Sequence, residues 1–405
     1  MATRAAATQD DLRRHNLARM LRRLHERGAA SRSDLVAYTG LNRSTVGVLV
    51  SELSDVGLVA EAAGSAGQVG RPSLVVQPDP TSAVVVAFDL RVERTIVALV
   101  GLGGEVLMRK EQRHRRTSYT PETAVRNIVS LVVSALGNAP GSASWVGVGI
   151  GVPGIVDHSE GRVRLAPNLG WADVPLGDMV RDALVEHFGF SPSVAIGNDA
   201  DLGAIAEHAR GVGLYCAHLI YVSGEVGIGG GIIIDGRPMR GAGGYGGEIG
   251  HMAVDPSGAV CRCGSQGCWE TLIGRDAIVA NAGLGGEQIE VADVIAAANA
   301  GNRSAQAAIE KAGEWLGIGL ANLVNLFNPE VIVLGGHLRL LFPMVSGTVY
   351  RRIHGALPAT REQVRVEVPG LNGDSTLLGA AEVAFEPLLT DPIGELSHAH
   401  HAAAS

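Results

Sequence analysis

One histidine and three cysteines within eighteen consecutive positions constrain this chain more than any other feature. The four residues are His251, Cys261, Cys263 and Cys268. One imidazole and three thiolates complete the tetrahedral shell of a structural Zn²⁺ ion and leave no open position. The Cys-x-Cys spacing lets two thiolates bind from one turn, and Gly264 and Gly267 let the chain bend back to bring in the fourth ligand. Unrelated buried cysteines beside a core histidine are the alternative, but four ligand-type residues this close together favour zinc.

The remaining cysteine and the apolar segments bear on where the protein acts. Cys216 stands apart, and the four cysteines do not have the spacing of a secreted disulfide framework. The first residues are polar and lack the apolar core of a signal peptide. The apolar stretches, such as 145–153, are shorter than the roughly 20 residues that a membrane helix needs. We therefore expect a cytoplasmic protein without a membrane partner.

Length and charge predict several domains of different character. The chain has 405 residues, more than one ordinary domain holds. Its formal net charge is −8, which by itself argues against nucleic acid. The first 80 residues, however, contain ten Arg and eight Asp or Glu, so they carry +2 and the remainder carries −10. This asymmetry fits a small DNA-binding head on a larger acidic body.

The pattern of the first 78 residues is that of a winged helix-turn-helix domain. Apolar residues at near-helical spacing predict a helix over 11–26. Ser31 and Asp34 form an approximate capping box for a second helix, and Asn42 can cap a third. Two short strands then flank a small, polar, glycine-rich loop, which would be the wing.

Four residues of this head are candidates for contact with DNA: Arg43, Ser44, Thr45 and Arg71. The first three lie in the first turn of the predicted recognition helix, where short polar donors and an arginine suit a major groove. Arg71 lies in the Gly-Arg-Pro tip of the wing and can reach a minor groove. The alternative is a three-helix interaction module whose arginines are simply solvated.

Beyond the head, short β-branched runs alternate with helical segments, which predicts an α/β body. Two glycine-bounded hairpins about a hundred and thirty residues apart suggest a duplicated, two-lobed body. We predict lobe 1 over 79–196, lobe 2 over 197–375, a closing helix over about 376–389 that returns to lobe 1, and a disordered tail over 390–405.

Several of these motifs resemble the signature of the ROK family (repressors, open reading frames and kinases). The resemblance covers nearly the whole body, and the winged head is similar to that of ROK repressors of the xylose-repressor type. It implies an actin/hexokinase-like two-lobed fold with sugar in the cleft. The matching segments are Gly149-x-x-x-Pro153-Gly154, Asn198-Asp199-Ala200, the glycine run 227–231, Gly243 to His251, Cys261 to Glu270, and Asn328-Pro329-Glu330 to Gly336.

The resemblance also implies which residues bind sugar. Asn198 and Asp199 would hydrogen-bond sugar hydroxyls, and Glu248, His251 and Glu270 would do so from the other lobe. His251 would bind zinc through one ring nitrogen and face the sugar with the other, so the metal would fix the loop that presents both glutamates. Taken alone, Asp199 is equally well explained as a helix-capping residue after a strand.

The phosphate loops depart from those of the family's kinases, in which Asp199 would be the catalytic base. The kinases have Asp-x-Gly-Gly-Thr at the first hairpin, where bare backbone amides and a hydroxyl hold phosphates. Here Asp89 is followed by Arg91, Val92 and Glu93 at those positions, and the second loop has Glu225 and Val226 where kinases have Gly-Thr. Phosphoryl transfer depends on positioning and electrostatics, so these changes predict a protein that is not an enzyme.

The sequence therefore predicts a repressor of carbohydrate metabolism genes that binds operator DNA, expected to be palindromic, as a homodimer or homotetramer. A sugar or sugar phosphate would be its effector, unless a protein partner takes that role. The alternatives are a ROK sugar kinase that retains activity and a redox or zinc sensor in which the clustered cysteines are the switch.

Overall fold

The computed structural model describes residues 9–63, 74–115, 119–284 and 289–403. By its internal contacts the chain divides into two compact units. The first comprises Met1–Val152, His158–Gly197 and Ala380–Ser405, and the second comprises Pro153–Asp157 and Asn198–Gly379. Within the described ranges, no helix combines the length and the apolar content that crossing a membrane requires.

The head is a winged helix-turn-helix, as the sequence predicted. Its elements are α1 (Gln9–Arg27), β1 (Ala30–Ser31), α2 (Arg32–Thr39), α3 (Arg43–Asp55), β2 (Val59–Ala63) and β3 (Leu74–Pro78), and its sheet has the order β1-β3-β2. Ser31 and Asp34 form the capping box of α2, and the Asn42 side chain accepts from the backbone N–H of Thr45 at the start of α3. These caps satisfy backbone donors that a helix start leaves unpaired, which is why both helices begin where the sequence predicts.

The rest of the first unit is built on a five-stranded sheet with the order β11-β7-β4-β5-β6. Strand β4 pairs antiparallel with β5 and parallel with β7, and all eight of its positions are buried. A strand covered on both faces is expected to be a continuous apolar run. The elements are β4 (Ala83–Leu90), β5 (Arg94–Gly101), β6 (Val106–Arg113), α4 (Pro121–Leu136), β7 (Ser144–Val152), β9 (Arg162–Ala166), β10 (Trp171–Val174), α5 (Leu176–Phe188) and β11 (Ser193–Asn198).

The second unit has its own five-stranded sheet, with the order β14-β13-β12-β15-β16. Strand β12 pairs antiparallel with β13 and parallel with β15. The elements of this unit are β8 (Ile155–Asp157), α6 (Asp199–Arg210), β12 (Leu219–Gly224), β13 (Ile228–Ile234), β14 (Arg237–Pro238), α7 (Glu270–Ile273), α8 (Arg275–Asn281), α9 (Val291–Asn299), α10 (Arg303–Phe327), β15 (Val331–Gly336), α11 (Leu338–Ile353), α12 (Pro358–Arg361) and β16 (Arg365–Glu367). The predicted α/β class is confirmed.

Two helices end the chain, α13 (Ser375–Thr390) and α14 (Pro392–Ala403). The first corresponds to the predicted closing helix. The second corrects the expectation of a disordered tail over 390–405. Pro392 suits the first position of a helix, the side chain of Asp391 accepts from the backbone N–H of Gly394, and Leu396 is buried. The low-complexity composition of the His/Ala segment concealed a proline start and an apolar anchor.

Candidate functional site

The predicted metal ligands come together in the second unit. One ligand atom from each of His251, Cys261, Cys263 and Cys268 lies within 4.8 Å of every other. The two sulfur atoms of Cys263 and Cys268 are 3.6 Å apart, and Nδ1 of His251 is 3.8 Å from Sγ of Cys261. Two thiolates bound to one Zn²⁺ at about 2.3 Å stand about 3.8 Å apart in a tetrahedron. The donor set and its spacing fit a tetrahedral metal ion.

Tight backbone turns hold the cysteines in this arrangement. The backbone N–H of Cys261 donates to the carbonyl of Ser265 at 2.7 Å, which closes the turn that carries Cys261 and Cys263. Gly267 has a φ of +71°, and a Cβ on it would lie 1.6 Å from the carbonyl oxygen of Asp255. Only glycine fits there, so the chain can return to Cys268 only through this residue.

The thiols of the cluster are electrostatically unequal. Cys263 is exposed, and a backbone N–H from Ser265 lowers its pKa to about 7. Burial raises the pKa of the Cys268 thiol. A bound dication would favour the thiolate at both, because metal binding releases protons from its ligands.

The metal loop leads directly into Glu270. Trp269, which is fully buried, donates from its backbone to the carbonyl of Met252 and from its indole nitrogen to the carbonyl of Trp315, both at 2.8 Å. Oε2 of Glu270 accepts from the backbone N–H of Ile228 at 3.1 Å. The Glu270 carboxylate is therefore held against the start of β13 by an anchored tryptophan.

Glu248 lies between the metal cluster and other carboxylates. Its Oε2 is 3.9 Å from Nε2 of His251, whose Nδ1 faces the Cys261 sulfur. Burial raises the pKa of Glu248, the imidazole lowers it, and the carboxylates of Asp201 and Glu270 raise it further. One ring nitrogen of His251 thus faces the cluster and the other faces Glu248.

The side chain of Asn198 makes three local hydrogen bonds. Its side-chain oxygen accepts from the backbone N–H groups of Ala200 and Asp201 at 2.8 and 3.0 Å, so Asn198, and not Asp199, is the cap of α6. Its Nδ2 donates to the carbonyl of Gly154 at 2.8 Å. One N–H of the amide is not used by these three hydrogen bonds.

Several of the predicted sugar residues lie close to the glycine run 227–231, at the start of β13. A Cβ on Gly229 would lie 3.9 Å from Oδ1 of Asp199, one on Gly227 would lie 2.1 Å from Oε2 of Glu270, and one on Gly230 would lie 2.7 Å from the carbonyl of Gly247. Asp199, Glu270 and the segment before Glu248 therefore all approach one strand. All five predicted sugar residues belong to the second unit, in which α6 packs on β12 and β13.

An ion pair closes the turn between β4 and β5, which the sequence analysis compared with the first phosphate loop of the family's kinases. Nε of Arg91 lies 2.7 Å from Oδ2 of Asp89, which is only 2% exposed. The backbone N–H of Arg91 also donates to the carbonyl of Arg94, which makes a tight turn. In the second unit the N–H of Glu225 makes a similar turn with the carbonyl of Gly227. The arginine that pairs with Asp89 is therefore Arg91, the residue that the sequence analysis compared with a glycine of the family's kinases.

The DNA-binding candidates lie at the start of α3. Arg43 and Ser44 are exposed, and Thr45 is half-buried. The Ser44 hydroxyl donates to the Asn42 side chain at 2.7 Å, so part of its hydrogen-bonding capacity serves the cap. Arg71 lies outside the described residues.

The structure also reveals polar contacts that the sequence analysis missed. His25 and Arg22 of the head contact Glu382 and Glu386 of α13. No spacing signal marks residues that lie 357 and 364 positions apart, so these pairs are visible only in three dimensions.

Comparison with known proteins gives the chain its family. The ROK family model matches residues 85–386. A putative xylose repressor from Caldicellulosiruptor sp. (strain Rt8B.4) is 31% identical over 389 residues, covering 92% of this chain and 96% of that repressor. The crystal structure of a ROK family transcriptional regulator, a homologue of the E. coli MLC protein, superposes with a TM-score of 0.77 and 26% identity over 96% of this chain and 99% of its own.

A kinase of the family covers less of the chain. The structure of a ROK glucokinase from Streptomyces griseus, in complex with glucose and AMPPNP, is 29% identical and has a TM-score of 0.63. It covers 75% of this chain and 100% of the glucokinase. The resemblance inferred from the motifs is thereby confirmed, and so is the predicted fold class. The chain belongs to the ROK family.

Proposed function

We propose that this protein is a sugar-responsive, DNA-binding transcription repressor of carbohydrate metabolism genes that acts in the cytoplasm. The observation that carries the proposal is a winged helix-turn-helix joined to a ROK body in one chain. The similar repressor matches the chain along 92% of its length, whereas the glucokinase matches 75%. A head that kinases do not match has no use in sugar phosphorylation.

The head, residues 1–78, would bind operator DNA through Arg43, Ser44, Thr45 and Arg71. The exposure of Arg43 and Ser44 at the start of a capped helix supports this role, because the first turn of a recognition helix is the part that reaches base edges. Winged heads read paired half-sites, so the protein would act as a homodimer or homotetramer on a palindromic operator.

The body, with lobe 1 over 79–196 and lobe 2 over 197–375, would bind a sugar or sugar phosphate as effector. The convergence of Asp199 and Glu270 on the glycines of β13 supports this assignment, since carboxylates beside bare backbone suit a polyol. Glu248 and His251 would contribute polar groups, and Asn198 would position the start of α6 and offer its remaining N–H.

A structural Zn²⁺ ion would be held by His251, Cys261, Cys263 and Cys268. The donor set and the tetrahedral spacing of the sulfur atoms support zinc over oxygen-preferring metals. When bound, the ion would supply folding energy to the loop that carries its ligands. Its effect on the effector site would pass through His251 and through Trp269 to Glu270.

The protein would not be an enzyme. The Arg91–Asp89 ion pair fills the turn in which the family's kinases use glycine amides, and Glu225 adds a carboxylate to the second loop. A ROK sugar kinase is the second candidate, because Asp199, the base of such an enzyme, is present beside the glycine run. Anions facing phosphates would raise the barrier that a kinase must lower.

One set of measurements tests the proposal. An operator is selected from random duplex DNA, and its affinity is titrated with and without D-xylose, D-glucose and glucose 6-phosphate. We expect one sugar to weaken operator binding and no sugar to accept phosphate from ATP. Arg43→Ala should weaken binding by about 1–3 kcal/mol if the residue reads a base, with Arg14→Ala as the control on another exposed helix face. ATP turnover that is lost in Asp199→Asn would establish the kinase instead.

A further inference from the structure

Helix α13 begins in the second compact unit and ends in the first. Residues up to Gly379 belong to the second unit, and residues from Ala380 belong to the first. At its start, the Thr376 hydroxyl donates to the backbone carbonyl of Asp199 at 3.0 Å, and the Ser375 hydroxyl donates to Oε1 of the buried Glu207 at 2.7 Å. Both acceptors belong to α6, so the first turn of α13 is bound to the helix that begins with a proposed effector residue.

Close backbone contacts fix α13 on either side of this division. In the second unit, a Cβ on Gly379 would lie 1.9 Å from the carbonyl oxygen of Leu202 in α6. In the first, a Cβ on Gly149 in β7 would lie 1.9 Å from the carbonyl oxygen of Ala380. Backbone packed directly on backbone leaves no flexible side chain to absorb a shift, so a displacement of α6 would move the first turn of α13 with it.

The other half of α13 carries the contact with the DNA-binding head. Nε2 of His25 in α1 lies 3.1 Å from Oε2 of Glu382, and the histidine side chain is fully buried. Its Nδ1 accepts from the backbone N–H of Gly103 at 3.0 Å. Because Nδ1 accepts, the ring proton must sit on Nε2, from which it donates to the Glu382 carboxylate. The ring also packs against Phe385, with centroids 4.9 Å apart.

A second pair joins the same two helices about one turn further on. Arg22 contacts Glu386 at 2.6 Å, but the two side chains are 33% and 56% exposed. Exposed pairs of this kind contribute little, because water screens them and ordering two long side chains costs entropy. The buried pair differs, since loss of the Glu382 oxygen would remove the acceptor that the Nε2–H of His25 uses in a site that water does not reach.

We propose that α13, through the His25–Glu382 hydrogen bond, couples the effector residues to the orientation of the DNA-binding head. Glu382 is a positioning residue: it belongs to neither the proposed effector residues nor the proposed DNA-binding residues, and it determines how firmly α1 follows α13. The inference rests on the proposed function, because it requires that sugar changes operator affinity. It adds the residues through which the change reaches the head.

Three substitutions on α13 test this coupling. Glu382→Met keeps a side chain of similar length and removes the acceptor, Glu382→Gln restores an acceptor without charge, and Glu386→Met removes the exposed pair as the matched control. Sugar binding is followed by thermal shift with D-xylose, D-glucose and glucose 6-phosphate, and operator affinity is titrated with and without the sugar that gives the largest shift.

In the wild-type protein we expect sugar to change operator affinity at least about fivefold, the lower range of allosteric coupling. In Glu382→Met the change should fall below about twofold while sugar still shifts the melting temperature. Glu382→Gln and Glu386→Met should respond as the wild type does. A full response in Glu382→Met would overturn the coupling and leave the repressor function standing. A wild-type protein whose operator affinity ignores every sugar would overturn both.

Hydrogen exchange of the unaltered protein gives a second test that does not depend on the folding of any variant. Sugar should change the exchange rates of amides over 20–27 of α1 and 380–388 of α13 together. Exchange that changes around Asp199 and Glu248 but stays constant in α1 would contradict the coupling while supporting sugar binding.

Discussion

The two five-stranded sheets contain the same core of three strands but use their hairpins differently. In the first unit, β4 lies between antiparallel β5 and parallel β7, and in the second, β12 lies between antiparallel β13 and parallel β15. Strand β5 is filled with buried β-branched residues, whereas β13 begins with glycines on which Asp199 and Glu270 converge. The turn before β5 is closed by the Arg91–Asp89 pair. Apolar burial preserves a fold, while a few turn positions decide whether the same framework holds a ligand.

The metal cluster belongs to the second unit. Removing one of its ligands should have the largest effect of the substitutions considered. Cys268→Ser should release the metal and lower the free energy of unfolding by at least about 3 kcal/mol, because the binding energy of a structural zinc is folding energy. Elemental analysis and urea denaturation measure both effects.

The control is Cys216→Ser, which changes a buried cysteine outside the cluster and should retain one metal per chain. A metal-free wild-type protein, with Cys268→Ser unfolding at the same urea concentration, would contradict the zinc assignment.

The close packing of β13 predicts the next largest effect. A Cβ on Gly231 would lie 2.3 Å from the carbonyl oxygen of Ala200 and 2.7 Å from Cβ of Ala204. Gly231→Ala should therefore cost about 3 kcal/mol of stability, at the upper end for overpacking. It should also weaken sugar binding by shifting α6. Gly141→Ala, where nothing lies within 4 Å, is the matched control in urea denaturation. Equal stability of the two variants would show that α6 does not need this contact.

The carboxylates around β13 predict the sugar response. Bound sugar at a hundredfold excess over its dissociation constant should stabilise the protein by about 2.7 kcal/mol. Glu248→Ala should abolish that stabilisation, because sugar hydroxyls would lose an acceptor, and it should yield a repressor that sugar cannot release. Glu310→Ala, an exposed glutamate on α10, should leave the thermal shift intact. A sugar-dependent shift that persists in Glu248→Ala would remove this residue from the site.

The smallest effect belongs to the first hairpin. Arg91→Ala should cost about 1 kcal/mol, because Asp89 is buried and loses a charge-assisted partner. Arg94→Ala, whose contact with Glu111 is 3.9 Å long and half-exposed, should cost less in the same denaturation experiment. If Arg91→Ala also made the protein transfer phosphate from ATP, the ion pair would be a block on a working kinase, and the contrast between the two hairpins would disappear.

Much of the head and the metal loop was predictable because their signals are local. The Ser31–Asp34 capping box, the Asn42 cap and the Cys-x-Cys spacing act within a few residues, so they can be recognised from the sequence alone. The hairpins of both sheets were found for the same reason, and β13 begins at Ile228, inside the glycine run. The tail was wrong because composition outweighed the start signal at Asp391 and Pro392.

The sequence by itself determined the family, the α/β class, the winged head and the grouping of His251 with Cys261, Cys263 and Cys268, since each depends on spacing along the chain. Only the tertiary structure decided what the polar residues do with their hydrogen bonds. In the structure Asn198 caps α6, Glu270 accepts from the backbone N–H of Ile228, and Arg91 pairs with Asp89. His25 contacts Glu382, which lies 357 positions further along the chain. A buried polar group must find a partner wherever the fold supplies one, and sequence distance carries no information about which group that is.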